Sequence, residues 1–566
     1  MSIGKPLTLH DHLSFGVRIA DRSGRGRLPR LAAGAAVLLS LQLFACSGPD
    51  DPSPTRDPDQ PPHVLLISID SLRADHLSCY GRQTPTGEPT SPRLDALAEQ
   101  GVLFERCVST TSWTLPAHHA LLSGLPDMLH GVSNHYSGPS LDRVCLPEAL
   151  QDADWQTAGF YSGPYLHPAF GFGQGFPEHR YVNCGAPSMF DLPEDDPNAT
   201  ANLSLQSWRQ ITSEQVSDGA IEFLQMHAED DTDDPFFLFL HYFDVHYDYD
   251  PQPETWAKRF WPDYRRPPIN GVDFIFNDRI HADMDPDALE GVLSYYDGEI
   301  AWVDHQIGRV LDALEDLGLD LDTLVVITAD HGDEFFEHGN KGHRQNLYQE
   351  TLHVPLIVRL PGAFEGGERV PTRVSLIDVA PTILDLTGVT PTDAVEHPLL
   401  HKGMLGRSLL PLVQGEETGD RDQIGLLTDI QDDEATGRSH HWALWSGDLK
   451  VVVTARWDEG GMHCARSVEG EIYDLGDDPG ETRNLARTPD RDALAAIRRH
   501  EELHAQLYQL TELFRAGPPP SRDSEHLESI RSELRALGYL EPAEDGLAPE
   551  GMVSAQPPPR PFPRDG

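Results

Sequence analysis

Apolar and polar positions along the chain fall into two textures. Up to about residue 420, short continuous apolar runs alternate with longer stretches of helical period. His63-Val-Leu-Leu-Ile-Ser-Ile-Asp70 is an apolar run that ends in an acid. A buried parallel strand delivers a side chain to its carboxyl-terminal edge in this way. Trp155–Tyr161, Pro235–Asp244, Leu324–Asp330 and His353–Leu360 read as further strands. Helices are predicted over Ser91–Gly101, with Ser91 capping and Pro92 in the first turn, and over Leu115–Leu122, Asp287–Leu317 and Ser375–Leu386. This alternation predicts an α/β fold whose large parallel or mixed sheet is covered on both faces.

After residue 420 the strand-like runs shorten, to Gly425–Ile430, His441–Trp445, Leu449–Thr454 and Glu471–Leu475, and a charged helix follows over Arg491–Phe514. The expected division is an address at 1–46, a tether at 47–61, a main α/β domain at 62–420, and a smaller α+β domain with an antiparallel sheet at 421–515. A Pro-rich tail at 516–566 carries a short helix around Ser524–Leu537.

Charge changes this picture of an ordinary globular protein in one respect. The 566 residues carry 91 acids against 43 lysines and arginines, a net charge of −48. Such a surface repels nucleic acid and anionic lipid headgroups. An anionic substrate then needs a locally positive pocket, which a bound metal ion supplies.

The amino terminus pairs a basic stretch (Arg18, Arg22, Arg25, Arg27, Arg30) with an apolar run from Leu31 to Ala45 that is short for a membrane span. The run ends in Leu43-Phe44-Ala45-Cys46 and resembles a bacterial lipoprotein signal, so the expectation is an exported protein, periplasmic or on the outer membrane, that touches the membrane only through a lipid on Cys46. The Pro- and Asp-rich segment that follows reads as an extended tether. Of the other cysteines (Cys79, Cys107, Cys145, Cys184, Cys464), no two form a CxxC pair, which argues against a structural zinc site, and their odd number leaves at least one thiol unpaired.

Two acids at strand ends, Asp70 and Asp330, can converge above one sheet, and His331 follows the second. Carboxylates plus an imidazole suit a divalent cation: Ca²⁺, Mg²⁺, Mn²⁺ or Zn²⁺. Six segments in order give this pair its setting. They are Ile67–Gly81, Thr110–Gly124 with His130-Gly-Val after it, His241-Tyr-Phe-Asp-Val-His246, Thr328–Glu334, Gly342–Ile357 and Ile472–Leu485. With them the chain resembles the sulfatase family of the alkaline-phosphatase-like superfamily over residues 62 to about 490.

The resemblance implies an α/β/α sandwich and a metal-dependent hydrolase of sulfate or phosphate esters. It implies one divalent ion on Asp70, Thr114, Asp330 and His331, and Thr114 as the nucleophile. It further implies contacts of His246 and His343 with the ester, Arg344 as the alternative to His343 in contacting the substrate, and His118 as an oxyanion binder, a proton donor or a packing residue. Arg73, Asp75 and Gly81 would shape the loop after the first strand, and a second ion would draw on Asp244, Asp248, Asp333 and His338.

Two departures matter. Family sulfatases oxidise the Cys or Ser of Cys/Ser-x-Pro-x-Arg to formylglycine, whereas this chain has Thr114-Leu-Pro-Ala-His118, so no formylglycine is expected. Cys145-Leu-Pro-Glu-Ala149 also lacks the arginine and falls past the nucleophile loop. Where many relatives carry two adjacent acids, this chain has Asp70-Ser71. The expected substrate is an ester of a small molecule, glycan or lipid. The alternatives are a group transferase of the same superfamily and an inactive binding protein on the same fold.

Overall fold

A computed structural model describes residue 56 and residues 60–514, apart from 133–144, 178–179, 185–211, 231–233, 248, 250–254, 262–273, 276, 393, 432–437, 458–466, 488 and 490. The expected signal, nearly all of the tether, the Pro-rich tail, Asp248 and Cys464 lie outside the described residues.

The strands, in chain order, begin with β1 (His63–Ile69), β2 (Val102–Val108), β3 (Gln156–Tyr161), β4 (Tyr181–Asn183), β5 (Phe236–Tyr242) and β6 (Thr323–Ala329). A small hairpin follows, β7 (Glu334–Phe335) with β8 (Lys341–Gly342), and then β9 (His353–Val354), β10 (Leu356–Arg359) and β11 (Glu368–Ser375). The main sheet has nine strands in the order β11-β2-β10-β6-β1-β5-β3-β4, with β9 beside β2. Its centre is parallel: β1 pairs with both β5 and β6, and β3 with β5. Its other side is mixed, because β10 runs antiparallel to both β2 and β6.

The central strands are buried along nearly their whole length, as their continuous apolar runs require. The predicted strand His353–Leu360 is two short strands, β9 and β10, broken at Pro355, which has no N–H to offer a ladder. Two longer strands, β2 and β11, are not among those expected, nor are the short β4, β7 and β8. Strand β2 carries Glu105 and Arg106, and β11 carries Pro371 at a break in its register, so neither reads as an apolar run.

The helices that matter for the site are α1 (Pro92–Gln100), α2 (Thr114–Ser123), α3 (Ser213–Glu229), α4 (Pro286–Asp316), α5 (Val379–Leu386) and α6 (Arg491–Phe514). The start of α1 is where Pro92 places it, but Ser91 makes no side-chain cap. The Asp304 carboxylate on α4 does that work, accepting from the amides of Arg93 (3.1 Å) and Leu94 (2.9 Å). Helix α4 is capped by its own Asp285, whose side chain accepts from the Asp287 amide.

Beyond residue 420, β12 (Gln423–Gln431), β13 (Arg438–Ser446), β14 (Leu449–Trp457) and β15 (Ser467–Asp474) form the expected antiparallel sheet. Helix α6 has the limits expected of it. The small sheet has one apolar cluster facing the main domain, around Val108, Leu347, Leu352 and Trp445. Another, around Leu426, Trp442 and Val453, lies against Ala493 and Ala496 of α6. Cys79, Cys107, Cys145 and Cys184 are unpaired. Among the described residues no helix is long and apolar enough to cross a membrane.

Candidate active site

The parallel pairing of β1 with β6 decides where the chemistry sits. Ile69 lies opposite Ala329, so Asp70 and Asp330 leave the sheet side by side at its carboxyl edge. Both are fully buried. The Asp70 Oδ1 accepts from Ser71 Oγ (3.0 Å), and the Asp330 Oδ1 accepts from the amides of Ser71 (3.1 Å) and His331 (2.8 Å). The Oδ2 of each has no hydrogen-bond partner. A buried carboxylate oxygen without a partner is costly unless a cation answers it. Ligand-type atoms of Asp70, Asp330 and His331 lie within 4.8 Å of one another. The residues present therefore fit a divalent ion. Burial raises both carboxyls above the ordinary range, against the opposing pull of nearby imidazoles. For His331 burial disfavours the charged ring, but Asp330, Asp70 and Asp333 outweigh it and raise its pKa.

Thr114 is the first residue of α2 and is nearly fully buried. Its Oγ1 lies 3.1 Å from the His331 Nε2. His118, one turn later, is fully enclosed with both nitrogens engaged: Nδ1 donates to the Thr114 carbonyl (2.8 Å), and Nε2 meets the Ser68 hydroxyl (2.9 Å). Burial holds its pKa down at about 3.

His246 follows β5, with its Nδ1 2.6 Å from the Tyr247 carbonyl and its ring centroid 5.0 Å from that of His343. The His343 ring lies 4.3 Å from the His331 ring, and its Nδ1 donates to Asp333 Oδ1 (2.7 Å). Burial lowers both pKa values, that of His246 to about 4 and that of His343 well below the usual histidine range. Arg344, at φ 68°, lays its guanidinium over Trp113 at 4.1 Å from the ring centroid.

The structure thus brings Asp70, Thr114, His118, Asp330 and His331 together, with His246 and His343 against them. Of the four residues considered for a second ion, Asp248 lies outside the described residues, and the other three are not gathered. Asp244 caps α3, accepting from the amides of Thr212 (2.7 Å) and Ser213 (2.8 Å). His338 pairs with Glu350 at 2.6 Å. Asp333 does lie near His331 and His343, but its oxygens already accept from His343 and from the Tyr249 hydroxyl. That cluster is satisfied from within, whereas the Asp70–Asp330 pair is not.

Arg73 ties the loops after β1 and β6 together. Its guanidinium forks onto Asp75 and also reaches Glu337 and the Asp333 carbonyl (3.1 Å). Cys145, which matches part of the nucleophile motif, heads the separate short helix Leu146–Gln151, where burial pushes its thiol up to about 12.

This sheet order, with two buried carboxylates and a histidine gathered at its carboxyl edge, defines an α/β protein with a candidate metal centre there. The family description "Sulfatase" matches residues 62–389, and "N-sulphoglucosamine sulphohydrolase, C-terminal" matches residues 337–512. The chain belongs to the sulfatase family, and it is an ester hydrolase of that family. It is 22% identical to an N-acetylglucosamine-6-O-sulfatase of Bacteroides thetaiotaomicron, covering 79% of this chain and 86% of the relative. It is 24% identical to an arylsulfatase of Clostridium perfringens, covering 76% and 91%. Among solved structures, the phosphonate monoester hydrolase of Agrobacterium radiobacter superposes with a TM-score of 0.58 at 23% identity, covering 80% of this chain and 96% of that one.

Proposed function

We propose that the protein is an exported enzyme that hydrolyses phosphate, phosphonate or sulfate esters through Thr114, with a divalent ion on Asp70, Thr114, Asp330 and His331. The observation that carries this reading is the placement of the Thr114 Oγ1, at the start of α2 and 3.1 Å from His331, beside two carboxylates that each keep an unpaired oxygen. A bound divalent ion lowers the pKa of a hydroxyl and neutralises charge on the ester oxygens.

The Thr114 Oγ attacks sulfur or phosphorus, the bond to the alcohol oxygen breaks, and the alcohol departs. The proton lost by Thr114 ends on that alcohol. In this reading His343, whose Nδ1 donates to Asp333, carries it on Nε2. Water then attacks the sulfur or phosphorus of the modified threonine and regenerates the hydroxyl. His246 and Arg344 face the ester oxygens. His118 acts through Thr114, holding the carbonyl of the first residue of α2, rather than on the ester.

Threonine favours phosphorus. A formylglycine hydrate sheds sulfate by elimination and regenerates its aldehyde, whereas a threonine ester must be opened by a second attack at the central atom. The superposition on a phosphonate monoester hydrolase accords with this preference, and the relatives named for sugar and aryl sulfates keep sulfate in the panel.

The test is a set of aryl sulfate, phosphate monoester, phosphodiester and phosphonate substrates with the wild type and Thr114→Ala. Wild type is expected to prefer the phosphorus esters. The variant should lose activity on the order of 10⁴-fold or more while still binding the ion. An aryl sulfate cleaved far faster than any phosphorus ester would refute the preference. Equal, negligible turnover in both proteins would favour a binding protein.

A further inference from the structure

Three buried acceptor atoms at the carboxyl edge of the main sheet have no donor. Two are Asp70 Oδ2 and Asp330 Oδ2. The third is the Nε2 of His241. His241 lies on β5 opposite Ser68 of β1 and is fully buried. Its Nδ1 is 2.6 Å from the Ser162 carbonyl oxygen. A carbonyl only accepts, so Nδ1 carries the proton and Nε2 presents a lone pair. That lone pair faces Asp70 Oδ2 at 3.4 Å. Two acceptors facing each other in a dry site repel unless a cation or a proton answers both.

We propose that the Nε2 of His241 is a further ligand of the ion held by Asp70 and Asp330, and that the site is therefore built for Zn²⁺ or a similar imidazole-binding ion in preference to Ca²⁺. The proposal rests on the metal-site reading above. Two ligand atoms each about 2.1 Å from one ion stand no more than about 4.2 Å apart. The spacing of His241 Nε2 to Asp70 Oδ2 is 3.4 Å, and that of His331 Nε2 to Asp330 Oδ2 is also 3.4 Å. With His241 the donor set is two imidazoles, two carboxylates and the Thr114 hydroxyl. Ca²⁺ takes about six to eight oxygen ligands, whereas a mixed nitrogen and oxygen set suits Zn²⁺. The Ser162 carbonyl acts as the outer partner that fixes the ring's tautomer and direction.

The experiment uses the full chain, stripped with a chelator and titrated calorimetrically with Zn²⁺ and with Ca²⁺. X-ray absorption of the Zn²⁺-loaded protein then counts imidazole ligands. Expected are two imidazoles in the wild type and one in His241→Gln, Zn²⁺ bound more tightly than Ca²⁺, and a loss of Zn²⁺ affinity of at least about tenfold in the variant. A single imidazole in the wild type overturns the role of His241 while leaving the metal site intact; the buried lone pair is then answered by a proton. Tighter binding of Ca²⁺ overturns the ion preference, and failure to bind either ion overturns the metal site as a whole. If His241→Gln does not fold, the wild-type imidazole count decides alone.

Discussion

Lys450 and Glu481 form an ion pair at 2.6 Å with both side chains fully buried, where the small sheet meets the segment that carries His343 and Arg344. The Lys450 Nζ lies over the rings of Trp445 (5.0 Å) and Tyr348 (5.9 Å), and Glu481 Oε2 accepts from the Gln349 amide (2.6 Å). Lys450→Met keeps most of the volume and removes the charge, which strands the Glu481 carboxylate in a dry contact. Breaking a buried pair from one side costs about 3–5 kcal/mol, whereas replacing both partners by neutral groups of similar shape is close to neutral. The desolvated cation–π contacts add roughly 2 kcal/mol. We expect Lys450→Met to lower the unfolding free energy in urea by about 3–5 kcal/mol and the double variant Lys450→Met/Glu481→Gln to recover most of it. The assay is urea unfolding followed by tryptophan fluorescence, with equal slopes required for the comparison. A loss under about 1 kcal/mol in the single variant, or a double variant as unstable as the single, would refute the claim that this pair is desolvated and coupled.

Two further outcomes follow from groups away from the site. For His338 burial disfavours protonation, but the Glu350 hydrogen bond and charge prevail and raise its pKa from 6.5 to about 9. A raised histidine stabilises fully below its unfolded value and loses that contribution as pH rises through the folded one, so stability should fall between about pH 6.5 and pH 9. His338→Gln should flatten the pH 7–9 part of the profile, and a parallel fall in both proteins would count against the pair. Asp304, which burial pushes up to about 7, acts below that range. Asp244→Ala removes the acceptor for the amides of Thr212 and Ser213 and for the Thr212 hydroxyl. It should lower the thermal midpoint with a cost of about 1–2 kcal/mol, and an unchanged midpoint would show that α3 needs no cap there.

Much of this protein is legible in its sequence. Asp70 and Asp330 stand out because each closes an apolar run, and an apolar run buried on both faces must be a central strand whose end meets the crevice. Thr114 stands out because the residues around it keep a family's spacing while it departs from that family's nucleophile. The small sheet and α6 are legible because turn residues and helical period are local signals. What is set by contacts between distant segments is not legible in this way. His241 sits inside an apolar strand, and nothing local says that its ring faces Asp70. Only the pairing of β5 with β1, Ser68 opposite His241, turns it to that carboxylate. His338 carries a ligand's chemistry in a motif rich in acids, yet Glu350 takes its Nδ1 and the Tyr348 ring stacks on it. Strands β2 and β11 are polar enough to read as loops, and they become strands because they pair with each other and β2 also pairs with β10. Local sequence determines the backbone's preference and which residue types are present. Cross-strand register and burial decide which donors and acceptors remain unpaired, and at this sheet edge the unpaired atoms are the ones available for chemistry.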